Sequence, residues 1–137
     1  MHSVEDYIAS FKENSIKITP QRLAIFNVLN ENTSHPSAED IFKDVLAIHP
    51  NTSFATVYNT LDRLYELNLI LKLNIEGEKS HYDPNIKQHH HFLCSKCKKI
   101  FDIWDEYSVI PSQEVNNHYK INNYQINFYG TCMTCSQ

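Results

Sequence analysis

Residues 53–83 read SFATVYNTLDRLYELNLILKLNIEGEKSHYD, and the hydrophobic spacing changes period once within them. Val57, Leu61, Leu64 and Leu67 recur at helical spacing, and Ser53 stands where an N-cap hydroxyl belongs. After Asn68 the pattern is that of strands. Leu69 to Ile75, a turn at Glu76-Gly77-Glu78 and then Ser80 to Asp83 predict a hairpin. A helix that runs into a hairpin closes a winged helix-turn-helix, provided that further helices come before it.

Three stretches upstream meet that condition. Val4, Tyr7, Ile8 and Phe11 make one amphipathic face over Val4 to Asn14. Thr19-Pro20 pairs an N-cap residue with a proline at the first helical position, ahead of Leu23, Phe26, Val28 and Leu29. Ser37 with Asp40 resembles a capping box before Ile41, Val45 and Leu46. In this outline the helix from Ser53 enters the major groove, and Ser53, Thr56, Tyr58, Asn59 and Arg63 are the residue types that bond phosphates and base edges. Arg22 and Lys17, near the second helix, read as phosphate contacts or as plainly solvated cations. Any amphipathic helix has a polar face, so the pattern alone leaves DNA contact undecided.

The 137-residue chain has 42% hydrophobic residues and two glycines, which excludes a disordered chain and a Gly-rich phosphate loop. A formal charge of −4 gives no general footprint for nucleic acid, so DNA contact has to be local. No apolar run reaches membrane-spanning length and the N-terminus is polar and acidic, so the expectation is a cytoplasmic protein without a membrane partner.

Beyond a hinge at residues 84–88 the character turns to β. His89 to Leu93 and Ile100 to Trp104 read as strands, Ser112 to Tyr119 as a short helix, and Ile121 to Tyr129 as a third strand. The chain thus divides into a winged-helix domain at 1–83 and a small α/β dimerisation domain at 89–137, an α+β fold overall. All four cysteines fall in two Cys-x-x-Cys pairs, Cys94/Cys97 and Cys132/Cys135. Together they complete the closed tetrahedral shell of a structural Zn2+ that staples distant ends of a domain with little core. Two disulfides or a redox pair are the competing readings, disfavoured in a reducing cytosol.

His89, His90 and His91 form a second cluster. On a strand, His89 and His91 share a face while His90 points away, and surface exposure is the default for His90 as for His118. Asp83 and Asp102 are the nearest carboxylates, and His35 lies in a helix–helix connection, where a lone histidine is ordinarily solvated. Convergence of His35, Asp83, His89, His91 and Asp102 would make a nitrogen-and-oxygen site suited to a regulatory metal.

Ile18-Thr19-Pro20-Gln21-Arg22, His35-Pro36, Ala55-Thr56-Val57-Tyr58-Asn59, the His-x-His run into Cys-x-x-Cys and the closing Tyr129-Gly130-x-Cys-x-x-Cys resemble the Fur family of bacterial metal-dependent repressors over nearly the whole chain. The resemblance implies homodimers that bind double-stranded operator DNA, with a four-cysteine zinc and a regulatory metal between the domains. Within the family the chain looks most like the peroxide-sensing PerR branch. That branch binds Fe2+ or Mn2+ through residues matching His35, Asp83, His89, His91 and Asp102. Asp102 stands where the iron-uptake branch tends to carry glutamate. Gln88-His89-His90-His91 replaces that branch's His-His-Asp-His, and a further histidine is missing around Asn123-Tyr124, so its additional metal site is not expected. The resemblance also implies that hydrogen peroxide, meeting bound iron, oxidises a ligand imidazole, with His35 and His89 the matching candidates. Two other classes compete: a regulator that senses iron, manganese or zinc itself, and an enzyme of iron-dependent oxygen chemistry, for which no substrate motif is found.

Overall fold

The computed structural model describes residues 1–75 and 79–137, so the expected turn at Glu76-Gly77-Glu78 lies outside them. The chain forms two compact units, Met1–Lys87 and Gln88–Gln137.

The first unit holds α1 (Val4–Glu13), α2 (Pro20–Leu29), α3 (Ala38–Ile48) and α4 (Phe54–Glu66), then β1 (Leu71–Leu73) and β2 (His81–Asp83). Each helix starts on a hydroxyl cap: Ser3, Thr19, Ser37 and Ser53 accept from the backbone N–H three residues on. Asp6 and Asp40 close reciprocal capping boxes with Ser3 and Ser37. The expected box at Ser37 is present with aspartate in the third position, and a second box, not expected from the sequence, stands at Ser3. The switch after Asn68 has a local cause. Asn68 takes a left-handed φ of 57°, Leu69 N–H reaches the Leu64 carbonyl and Asn68 N–H reaches that of Tyr65. This paired arrangement ends α4 and turns the chain into β1.

One core fills the unit, in which Tyr7, Phe11, Phe26, Leu29, Ile41, Leu61, Leu64 and Tyr82 are buried together. Phe26 meets Tyr7 at 5.4 Å and Phe11 edge-on at 5.0 Å between ring centroids. β1 and β2 pair antiparallel, Leu71 opposite Asp83 and Leu73 opposite His81. On β2, Tyr82 faces this core, so strand alternation turns His81 and Asp83 to the other side.

The second unit holds β3 (His90–Cys94), β4 (Ile100–Ile103), α5 (Gln113–His118) and β5 (Asn127–Gly130), with sheet order β4-β3-β5. β3 and β4 are antiparallel, whereas β3 and β5 are parallel, Cys94 opposite Gly130. The expected third strand over residues 121–129 lacks its first six residues and runs from Asn127 to Gly130. Asn122 and Asn123 are turn-formers, and the chain joins the ladder only where Asn127 comes opposite His91. Tyr124, just before, donates its hydroxyl proton to the Tyr107 carbonyl.

Candidate functional site

The sheet of the second unit brings the four cysteines together. Cys94 ends β3, Cys97 closes the β3–β4 turn, and Cys132 and Cys135 follow β5, which the parallel register places beside β3. One sulfur from each lies within 4.8 Å of the others, and Cys97 Sγ is 3.9 Å from Cys132 Sγ. A tetrahedron with Zn–S bonds of ~2.3 Å has edges of ~3.8 Å, so the thiols fit a zinc shell. Backbone N–H groups of Cys132 (3.4 Å) and Cys97 (3.5 Å) point at Cys94 Sγ and hold its thiol down at about 6. Hydrogen bonding with the Cys132 thiol, then burial, pushes Cys135 up to about 12. Four thiols in one cage cannot all ionise unless a cation joins them, and zinc supplies that charge.

His89 precedes β3 and His91 lies on it, opposite Asp102 of β4. Asp102 Oδ1 is 3.0 Å from His89 Nε2 and 3.5 Å from His91 Nε2. Both imidazoles are buried. Donors at right angles on one ion with bonds of ~2.1 Å stand ~3 Å apart, so this trio fits three adjacent positions of a metal shell. His89 stacks on Trp104, centroids 4.4 Å apart and planes at 21°, and the Gln125 amide lies 3.1 Å from His91 Nδ1. Neither partner was legible in the sequence.

In the first unit, His35 Nε2 lies 3.3 Å from Asp83 Oδ2. His35 is only 3% exposed, against the expectation for a lone loop histidine. Its backbone is left-handed, φ 52°, a conformation that costs a residue other than glycine on the order of 1–3 kcal/mol. It also precedes Pro36, whose ring narrows its choices further.

His90 corrects a second expectation. It is 3% exposed, stacked on Tyr124 at 5.6 Å and edge-on to Tyr107 at 5.3 Å. Its Nδ1 accepts the Ile126 N–H at 3.0 Å, so the ring joins β3 to the segment before β5. His118 is exposed, as expected.

Residues 13–129 match the ferric uptake regulator family. The chain belongs to that family. The peroxide-responsive repressor PerR of Staphylococcus epidermidis is 33% identical to it over 140 residues, 99% of this chain and 92% of that protein. Among solved structures, PerR from Streptococcus pyogenes, studied for peroxide sensing and gene regulation, aligns at TM-score 0.57 with 30% identity over 98% of this chain and 94% of its own. The Helicobacter pylori ferric uptake regulator shares the fold at TM-score 0.77 and 24% identity, over 99% of this chain and 95% of its own.

On α4 of this ferric uptake regulator family member, Tyr58, Asn59 and Arg63 are exposed. Arg63 lies 3.6 Å from Glu66. Ser53 and Thr56 are committed to the helix start: Ser53 Oγ accepts the Thr56 N–H at 3.1 Å and lies 2.9 Å from its hydroxyl. Arg22 donates to the Lys17 carbonyl at 2.6 Å. A groove of about 390 Å³, with Lys17, Arg22, Ser53 and Thr56 in its lining, joins the starts of α2 and α4. Two helix N-termini and two cations give it a positive bias in an acidic protein. Among the described residues no helix is long and apolar enough to cross a membrane.

Proposed function

We propose that this protein is a metal-dependent transcriptional repressor that senses hydrogen peroxide through oxidation of its own metal ligands. The observation that carries the reading is the Asp102 carboxylate oxygen set at 3.0 Å and 3.5 Å from two buried imidazole nitrogens. Its full-length likeness to peroxide-responsive repressors supports the same conclusion.

Zn2+ belongs to the four cysteines, whose thiolates require the reducing interior of a cell. His35 and Asp83 of the first unit, with His89, His91 and Asp102 of the second, would hold the regulatory ion, Fe2+ or Mn2+. Iron(II) held there would supply the redox chemistry that splits hydrogen peroxide, one oxygen going to an imidazole carbon and the other leaving as water. The chain does the rest. His35 and His89 present the imidazole carbons that take up oxygen, and an oxidised ring is a poor donor. Five ligands from two units hold the operator-binding state while they share one ion, and losing one ligand lowers that state's population.

Double-stranded operator DNA meets α4 through Tyr58, Asn59 and Arg63, with Ser53 and Thr56 at its start and Arg22 on α2 across the shared groove. A second copy of the chain covers the second unit, which leaves large apolar side chains such as Ile110, Tyr119 and Met133 in water. The reaction consumes the protein that performs it, so this is a sensor and no enzyme.

Peptide-mapping mass spectrometry after a brief low dose of peroxide tests the reading. One added oxygen is expected on the peptides of His35 or His89 in iron-loaded protein, and none in manganese-loaded protein. Bound iron with unmodified histidines would instead assign a regulator of metal availability, the activity for which the family is named.

A further inference from the structure

A backbone bridge and a side-chain bond fasten the loop that carries His35 to strand β2. Ser37 and His81 form an isolated antiparallel bridge, in which Tyr82 N–H donates to the Pro36 carbonyl at 2.8 Å. The side-chain contact is His81 Nδ1, which lies 2.7 Å from the carbonyl oxygen of His35 itself. A carbonyl only accepts, so His81 carries its proton on Nδ1 and donates it. The bonded carbonyl belongs to the residue whose backbone is left-handed, at φ 52°, immediately before a proline. Strained conformations of that kind persist where their surroundings over-determine them.

We propose that His81 is the positioning residue of the regulatory half-site. Its Nδ1–H, bonded to the His35 carbonyl, holds the backbone that aims the His35 imidazole at Asp83, 3.3 Å away. The arrangement is economical because His81 and Asp83 lie two apart on β2 and so share a face. One strand therefore supplies a ligand directly and orients a second ligand through a hydrogen bond. Outer partners of this kind change metal affinity by ~10–100-fold when removed. The inference rests on the reading of His35 and Asp83 as ligands.

The test compares His81→Leu, which has no donor, with His81→Asn, whose amide nitrogen replaces Nδ1 at the same distance from the backbone. Both are made in full-length, zinc-loaded protein, alongside His35→Ala and Asp83→Ala. Manganese(II) affinity is read from the loss of the free-ion paramagnetic resonance signal. Amide hydrogen exchange of the peptide holding Ser34 to Ser37 is followed without added manganese. His81→Leu is expected to weaken manganese binding about 10-fold or more and to speed exchange in that peptide, whereas His81→Asn restores both. Wild-type affinity in the leucine variant overturns the proposal, as does an asparagine variant as weak as the leucine one. Should His81→Leu fail to melt cooperatively, His81→Val, with its strand preference, takes its place. Wild-type affinity in His35→Ala and Asp83→Ala would overturn the ligand reading itself, an outcome distinct from failure at His81 alone.

Discussion

Asp102 touches two imidazoles with a single oxygen, and that sharing makes its side-chain length matter. A glutamate in its place carries one more methylene on the same backbone of β4. It can still reach a metal, because the chain bends, but it cannot keep the same oxygen within ~3 Å of both rings without moving them. Asp102→Glu is therefore expected to bind manganese within about tenfold of wild type while losing most of its peroxide-dependent histidine oxidation. Side-by-side metal titration and mass mapping measure the two quantities. Oxidation at the wild-type level in this variant would remove the special weight given to the carboxylate. At this scale the sequence shows the candidate ligands but not their supports. His89 and His91 are readable as an i, i+2 pair, although β3 begins one residue after His89. Trp104, Gln125 and His81 are invisible as neighbours because their contacts join residues distant in sequence, His81 to His35 being 46 positions apart. His90 misleads for the same reason, since its aromatic partners at Tyr107 and Tyr124 come from tertiary packing.

Whole elements were easier to read than their supports, and the reason is local chemistry. Ser37, Asp40, Thr19-Pro20 and Ser53 act within three residues of themselves, so helix starts are written in short words. The extent of the third strand is not legible in its own residues, because its length is set by a parallel neighbour, β3, more than thirty residues away. The capping box at α3 is a useful test of how much such words stabilise. Asp40 Oδ2 accepts the Ser37 N–H at 3.0 Å, and this bond holds the Asp40 carboxyl below its usual 3.8. A carboxyl depressed in the folded state stabilises above its unfolded value and loses that contribution as pH falls through the folded one. Asp40→Ala is expected to cost about 1 kcal/mol near neutral pH, judged from cap removal. The gap from wild type should close as pH drops below 3.8. Urea midpoints compared pair by pair across pH give the answer, and a gap that persists unchanged in acid would mean that the carboxylate charge is irrelevant to the cap.

For the molecule as a whole, the two units draw their stability from different sources. The first buries a continuous set of aromatic and aliphatic side chains contributed by four helices and β2. In the second, the buried hydrophobics among the described residues are Leu93, Cys94 and Ile100, all within or beside the cysteine cage. Apolar burial stabilises by roughly 25 cal/mol per Å², so three such residues cannot offset the ordering of fifty residues, and a metal or a second copy has to contribute. Zinc bound by thiolates contributes folding free energy directly, because the cage does not exist in the unfolded chain. Stripping zinc with a strong chelator under reducing conditions is therefore expected to deprotect amides across β3, β4 and β5 in hydrogen exchange. The helices of Met1–Lys87 should keep their protection, and far-UV circular dichroism should retain most of its helical signal. Protection retained in the sheet after quantitative zinc loss would show that packing with a second copy holds this unit. Collapse of the helices along with the sheet would show that the cysteine cage stabilises the first unit too.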